Sequence, residues 1–208
     1  MKLRTIAASA VVGAALVPAS AMAEGLDYTY VDVGYVTSTV DVAGIDVDGD
    51  GLGLRGSFAL TDAFQLVGSY TTQDFDGGLD VSTLEAGVGW RTNMSETVDF
   101  VSNVRLINAE AEVLGLTVDD DGYGVGVGVR GMFEKSFEWE AGIDFTDVSD
   151  TNTAFHLDGR YYFTPMFSGG AGLVLDDDST TWRLGVRADF LSLIPISEPT
   201  SLHCISYA

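Results

Sequence analysis

Side chains able to do acid–base, nucleophilic or metal chemistry are few in this chain. Histidine occurs only as His156 and His203, and cysteine only as Cys204. A single cysteine excludes an internal disulfide framework and a four-cysteine zinc site. Hydrolytic chemistry needs a histidine with carboxylates, or a serine with a base, held as partners. Between residues 24 and 190 only His156 is available, and hairpin symmetry sets it against Asp144. A His–Asp pair alone is a weak signal, so the chain is read as non-enzymatic. The run Asp46-Val-Asp-Gly-Asp-Gly51 opens like a calcium-binding EF-hand loop, but its twelfth position is Ser57 where a bidentate Glu is required. Asp119, Asp120, Asp121 and Asp176, Asp177, Asp178 are weaker metal candidates: carboxylates crowded on loops attract hard divalent cations such as Ca²⁺. The competing reading of those aspartates is a solvated acidic surface. No organic cofactor is implied.

The elements carrying these residues read as strands. Apolar side chains alternate with glycine or polar ones over long runs, and period 2 means strand. Leu52, Leu54, Phe58 and Leu60 share a face. Tyr123, Val125, Val127, Val129 and Phe133 oppose Gly124, Gly126, Gly128 and Arg130. Trp182, Leu184, Val186, Ala188 and Phe190 oppose Arg183, Gly185, Arg187 and Asp189. The pattern predicts ten strands, near residues 26–38, 47–60, 64–74, 81–91, 97–112, 122–133, 137–147, 153–163, 167–176 and 180–190. Connections at 61–63, 92–96, 134–136 and 164–166 read as short. The others read as mostly longer and strongly acidic. Strands of about 10–14 residues exceed the usual 5–6 of soluble proteins and suit the 9–11 of a membrane-spanning strand. Aromatics on the apolar face gather toward both strand ends, as interfacial girdles do.

The fold class that follows is all-β: a closed antiparallel up-and-down transmembrane β-barrel of ten strands, with eight as the alternative. Its domain spans residues 24–190. Met1 to Ala23 reads as a signal peptide, with Lys2 and Arg4 before an apolar stretch and Ala21-Met22-Ala23 as the cleavage site. Residues 191–208 break the preceding pattern and read as a non-native or disordered tail. With 31 acidic against 10 basic residues the net charge is −21, which argues against nucleic acid as a partner. The 46% hydrophobic content argues against disorder.

If the apolar faces meet lipid, the opposite faces line a lumen. Every arginine after the signal peptide falls there, as expected when arginine on the lipid face costs about 2–4 kcal/mol at the bilayer midplane. Hairpin symmetry suggests cross-strand partners: Asp32 with Arg55, Glu85 with Arg105, Arg91 with Asp99, and Arg130 with Glu140, which also faces Arg160. Two functions are compatible with such a network. The favoured one is a structural or surface barrel whose paired charges plug the lumen. The other is a narrow, porin-like passive channel for small solutes or ions.

The segment Trp182 to Phe190, alternately apolar and ending on Phe, resembles the terminal-strand signal that outer-membrane barrels present to the assembly machinery. Residues 24–190 as a whole resemble the small outer-membrane β-barrel families, the OmpA-like and opacity-type proteins. Ten strands depart from the eight usual in OmpA-like barrels. The resemblance implies location in the outer membrane of a Gram-negative bacterium. It also implies lipid, lipopolysaccharide and the barrel assembly machinery as partners, with cations at the acidic loops able to bridge to lipopolysaccharide phosphates. Such families are functionally mixed, so fold and location follow better than activity.

Overall fold

The computed structural model describes residues 26–190 except 43, 114 and 135; the signal-peptide and tail assignments lie outside the described residues. Ten strands follow one another: β1 (Tyr30–Val42), β2 (Ile45–Ala59), β3 (Phe64–Phe75), β4 (Leu79–Asn93), β5 (Val98–Val113), β6 (Leu116–Phe133), β7 (Phe137–Asp147), β8 (Thr151–Tyr162), β9 (Phe167–Leu175) and β10 (Ser179–Asp189). Each pairs antiparallel with its chain neighbours, and β10 closes on β1, from Tyr30 opposite Asp189 to Val40 opposite Ser179. The predicted ten-strand closed barrel is therefore the fold, and the eight-strand alternative is not.

Burial is inverted relative to a water-soluble protein. Val33, Leu54, Leu66, Val88, Val104, Leu157, Leu184 and Val186 are all exposed on the outside, whereas Asp32, Arg130, Glu138, Arg160, Arg187 and Asp189 are buried within. An exterior this apolar and continuous is tolerated only against hydrocarbon. Tyr35, Tyr70, Tyr123, Phe145, Phe155 and Trp182 ring one end of it. Phe58, Phe64, Trp90, Phe133, Phe137, Phe163, Phe167 and Phe190 ring the other.

One expectation fails. The longer acidic loops are absent among the described residues. Val42 and Ile45 bracket a two-residue turn, as do Val113 and Leu116. Asp119, Asp120 and Asp121 lie inside β6, and Asp46 and Asp48 inside β2. The strands continue past the aromatic ring, and there the side carrying apolar residues switches. On β5, Val104 and Leu106 face outward below the switch; Ile107, Ala109, Ala111 and Val113 face inward above it, with Glu110 and Glu112 outside. On β1 and β2, Val40, Val42, Ile45 and Val47 face inward, while Asp41, Asp46, Asp48 and Asp50 face outward. Alternation persists, but its phase inverts where lipid gives way to water, so a single-phase pattern stops there.

Candidate functional site: the charged lumen

Strand parity sends every second side chain of every strand into the barrel, and the charged ones collect in three groups. At the end of the short connections, Glu138 on β7 receives both neighbouring guanidiniums. Arg130 donates through Nε (3.1 Å) and Nη2 (2.9 Å). Arg187 donates through Nη1 (2.9 Å) and Nη2 (3.1 Å), and the Tyr162 hydroxyl adds a bond of 2.7 Å. Arg187 also holds Asp189 at 2.6 Å. Two-pronged donation of this kind suits the planar fork of arginine and is lost with lysine.

The second group surrounds Asp32 on β1, which is 1% exposed. Its Oδ1 accepts from Arg183 and its Oδ2 from Arg160, while Arg55 lies 3.8 Å away. Arg55 also reaches across to Asp158 at 3.0 Å. The third group runs from Glu85 through Arg105 (3.4 Å) to Asp144 (2.7 Å), then to His156 Nδ1 (2.6 Å), whose Nε2 lies 3.7 Å from Glu140. Glycines make room for it. A Cβ on Gly126 would fall 2.6 Å from Asp144 Oδ1, and one on Gly142 would fall 2.6 Å from the His156 ring.

The expected pairs fare unequally. Asp32 and Arg55 stand in register, and Glu85 does meet Arg105, although diagonally: Arg105 is opposite Gly87 and Glu85 opposite Ile107. The turn between β4 and β5 centres one residue later than symmetry about residue 95 implies. That shift sets Arg91 opposite Val101, so the Arg91–Asp99 pair does not form. Both instead hold Tyr28, from the segment before β1. The Arg91 guanidinium lies 3.8 Å from the ring centroid, and the hydroxyl donates to Asp99 Oδ2 at 2.8 Å. Arg130 and Glu140 are in register, yet the ion pair is to Glu138; Glu140 stands opposite Asp158, and Arg160 goes to Asp32. The predicted cluster of Glu140 between Arg130 and Arg160 is thus replaced by Glu138 between Arg130 and Arg187. In a twisted, tilted sheet the long arginine side chains choose diagonal neighbours over directly facing ones.

Sequence reasoning missed the luminal tyrosines. Tyr28 and Tyr30 share the parity of Asp32, which would have placed them inside. Tyr28 is 2% exposed beneath Arg91 and Arg130, and Tyr30 stacks against Arg187 at 4.1 Å. Beside them, burial raises the pKa of the Asp27 carboxyl above its ordinary value, opposed by the hydrogen bond from the Thr29 N–H.

The metal candidates do not converge. Parity turns Asp119 and Asp121 outward and Asp120 inward, where the Ser149 hydroxyl donates to it. The Asp176 carboxylate accepts from the Asp178 and Ser179 N–H groups and the Ser179 hydroxyl, so it caps the turn between β9 and β10. No group of three or more ligating side chains is placed for a metal ion among the described residues.

A cavity of about 380 Å³ remains inside the barrel, bordered by Gln65, Ser69, Asn103 and Arg105 on one side and Asp32, Arg160 and His156 on the other.

No family of known sequences and no curated protein matches the chain. Among solved structures it is similar to the KdgM porin in complex with disordered oligogalacturonate, at 10% identity and a TM-score of 0.48, over 78% of this chain and 99% of that one. It is also similar to Neisserial surface protein A, at 14% and 0.44, over 77% and 96%. An outer membrane channel from Pseudomonas putida F1 matches at 16% and 0.47, over 84% and 100%. At such scores these likenesses carry no argument about activity, and the barrel rests on its own strand register.

Proposed function

We propose that the protein is an integral outer-membrane β-barrel with a structural or surface role, its lumen closed by paired charges rather than opened for transport. One observation carries this reading: Asp32, 1% exposed, sits among Arg55, Arg160 and Arg183 in the barrel interior. Buried charges persist only when paired, and pairing across the lumen ties the far walls together. The apolar exterior between two aromatic rings supports residence in a bilayer. Partners in this reading are the surrounding lipid, lipopolysaccharide and, during biogenesis, the assembly machinery.

The cavity bordered by Gln65, Ser69, Asn103 and Arg105 favours a second reading, a narrow passive channel through the space between the charged groups. Conductance in a planar bilayer separates the two. A plugged barrel is silent as purified and gains conductance steps in Glu138→Ala, which frees Arg130 of its ion pair and leaves Arg187 with Asp189 alone. Stable steps in the unaltered protein, changed only in ion selectivity by that substitution, would establish the channel instead.

A further inference from the structure

Beyond the aromatic ring the β5–β6 hairpin stands taller than the neighbouring β7–β8 hairpin. β6 pairs with β7 from Tyr123 opposite Asp147 onward, so the backbone ladder of Leu116–Gly122 runs to β5 alone, with one side-chain bond from Ser149 to Asp120 on the other side. Val113 and Leu116 close a two-residue hairpin and therefore exchange both backbone hydrogen bonds. Alternation then directs the N–H and C=O groups of Thr117, Asp119 and Asp121 away from β5. The Asp121 N–H is occupied by Asp120 Oδ1 at 3.1 Å. Those of Thr117 and Asp119 have no backbone partner on that side among the described residues.

This edge is also two-faced. Its inner side presents Leu116 and Val118, which are 74% and 67% exposed, continued across β5 by Val113 and Ala111 and across β4 by Leu79 and Val81. Its outer side presents Thr117, Asp119 and Asp121, with Glu110 and Glu112 on β5. Open strand edges recruit further strands unless something repels them. Here the repulsion is selective, because the outer carboxylates disfavour an acidic strand and favour a basic one.

We propose that the β6 edge docks an extended segment of another polypeptide in which basic and apolar residues alternate. Its backbone pairs with Thr117 and Asp119, its apolar residues extend the row of Leu116 and Val118, and its basic residues lie beside Asp119 and Asp121. A second copy of this chain is disfavoured, since it would set aspartate against aspartate. The net charge of −21 adds attraction at a distance. This assignment rests on the acidic end standing clear of the bilayer and is independent of whether the lumen conducts.

The test uses folded barrel in nanodiscs and a fluorescent, end-capped peptide of alternating Lys and Val, with binding read by anisotropy. Asp119→Pro removes the outward N–H while leaving the ladder to β5 in place. It should weaken binding about tenfold, as should Thr117→Pro, through loss of one or two backbone hydrogen bonds. Asp176→Asn with Asp178→Asn, on another hairpin, should leave binding unchanged. The heat-induced gel shift typical of folded barrels confirms that each variant has assembled. Binding by both proline variants as tight as that of the unaltered protein would reduce the attraction to bulk charge and overturn the proposal. So would failure of the unaltered protein to bind, or self-association that Asp119→Pro abolishes.

Discussion

Replacing Asp32 by Ala is the sharpest probe of the plugged lumen. Asp32 is 1% exposed and is shared by Arg160, Arg183 and, at 3.8 Å, Arg55. Without it, Arg55 keeps Asp158 at 3.0 Å. Arg160 retains only a long contact of 3.5 Å to the Ser168 hydroxyl, and Arg183 has no other ion pair among the described residues. Two guanidiniums, Arg160 buried and Arg183 mostly so, thus lose their counter-charge and repel each other. Removing one member of a buried pair costs about 3–5 kcal/mol. Two stranded partners set the expectation at the upper part of that range, about 4–5 kcal/mol. Arg55→Ala is the internal comparison: its side chain is 38% exposed, and the Asp32 it leaves keeps two arginines. That loss should be about 1 kcal/mol, nearer a surface pair. Reversible urea unfolding in lipid vesicles, followed by tryptophan fluorescence, gives both values. Adding Arg183→Ala to Asp32→Ala should recover part of the loss, because the most poorly compensated charge is removed. If Asp32→Ala lay within about 1 kcal/mol of the unaltered protein, the charges would be hydrated and the lumen open to water.

Other consequences concern the exterior, the backbone and the end of the short connections. Val127→Arg, in the middle of the outward apolar face, should cost about 2–4 kcal/mol in the same unfolding assay, whereas Asp121→Arg, beyond the aromatic ring, should cost about 1 kcal/mol or less. Gly87→Ala brings a Cβ to 2.1 Å from the Val104 backbone carbonyl, while the atoms nearest a Cβ on Gly126 are side-chain ends, Asp144 Oδ1 at 2.6 Å and Asn103 Nδ2 at 2.7 Å. The first should destabilise by about 1–3 kcal/mol and the second by less, with thermal loss of the heat-modifiable gel band as the readout. Burial raises the Asp27 pKa, so folding prefers its neutral form: its contribution is most favourable at low pH and falls as pH rises through the folded pKa. Asp27→Asn should therefore stabilise at neutral pH and lose that advantage in acid. Unfolding midpoints that shift equally at both pH values would contradict this.

Fold and charge location were legible in the sequence because both follow from parity. Once Leu184 and Val186 face hydrocarbon, Arg183, Arg187 and Asp189 have nowhere to go but inside. Partner identity was less legible because it depends on reach and on turn centring. A one-residue error in the β4–β5 turn separates Arg91 from Asp99, and the length of arginine lets Arg160 cross the lumen to Asp32 on β1, a strand it does not pair with. Cross-barrel contacts leave no trace in the pairing of adjacent strands. Tyr28 escaped for a different reason. It falls within the predicted strand 26–38 with inward parity, but a tyrosine suits an interfacial girdle as well as a lumen, so its type did not point to the arginines.

The switch in amphipathic phase also measures the membrane. On β6 the outward apolar face runs from Tyr123 to Phe133, ten residue steps of about 3.3 Å on strands tilted by about 40°, or roughly 25 Å along the barrel axis. That is the height of the apolar band in outer-membrane barrels. Immediately beyond Tyr123, Asp121 and Asp119 take the outward positions while Val118 and Leu116 turn inward. A water-soluble barrel has no reason to invert there, since one solvent would surround it along its whole length. Two solvents along one strand give each face its own rule: apolar outward against hydrocarbon, polar outward against water. The acidic surplus of the chain then belongs to the hairpins beyond the ring, while the lumen carries arginines and carboxylates together, which is why so large a net charge coexists with an interior held together by ion pairs.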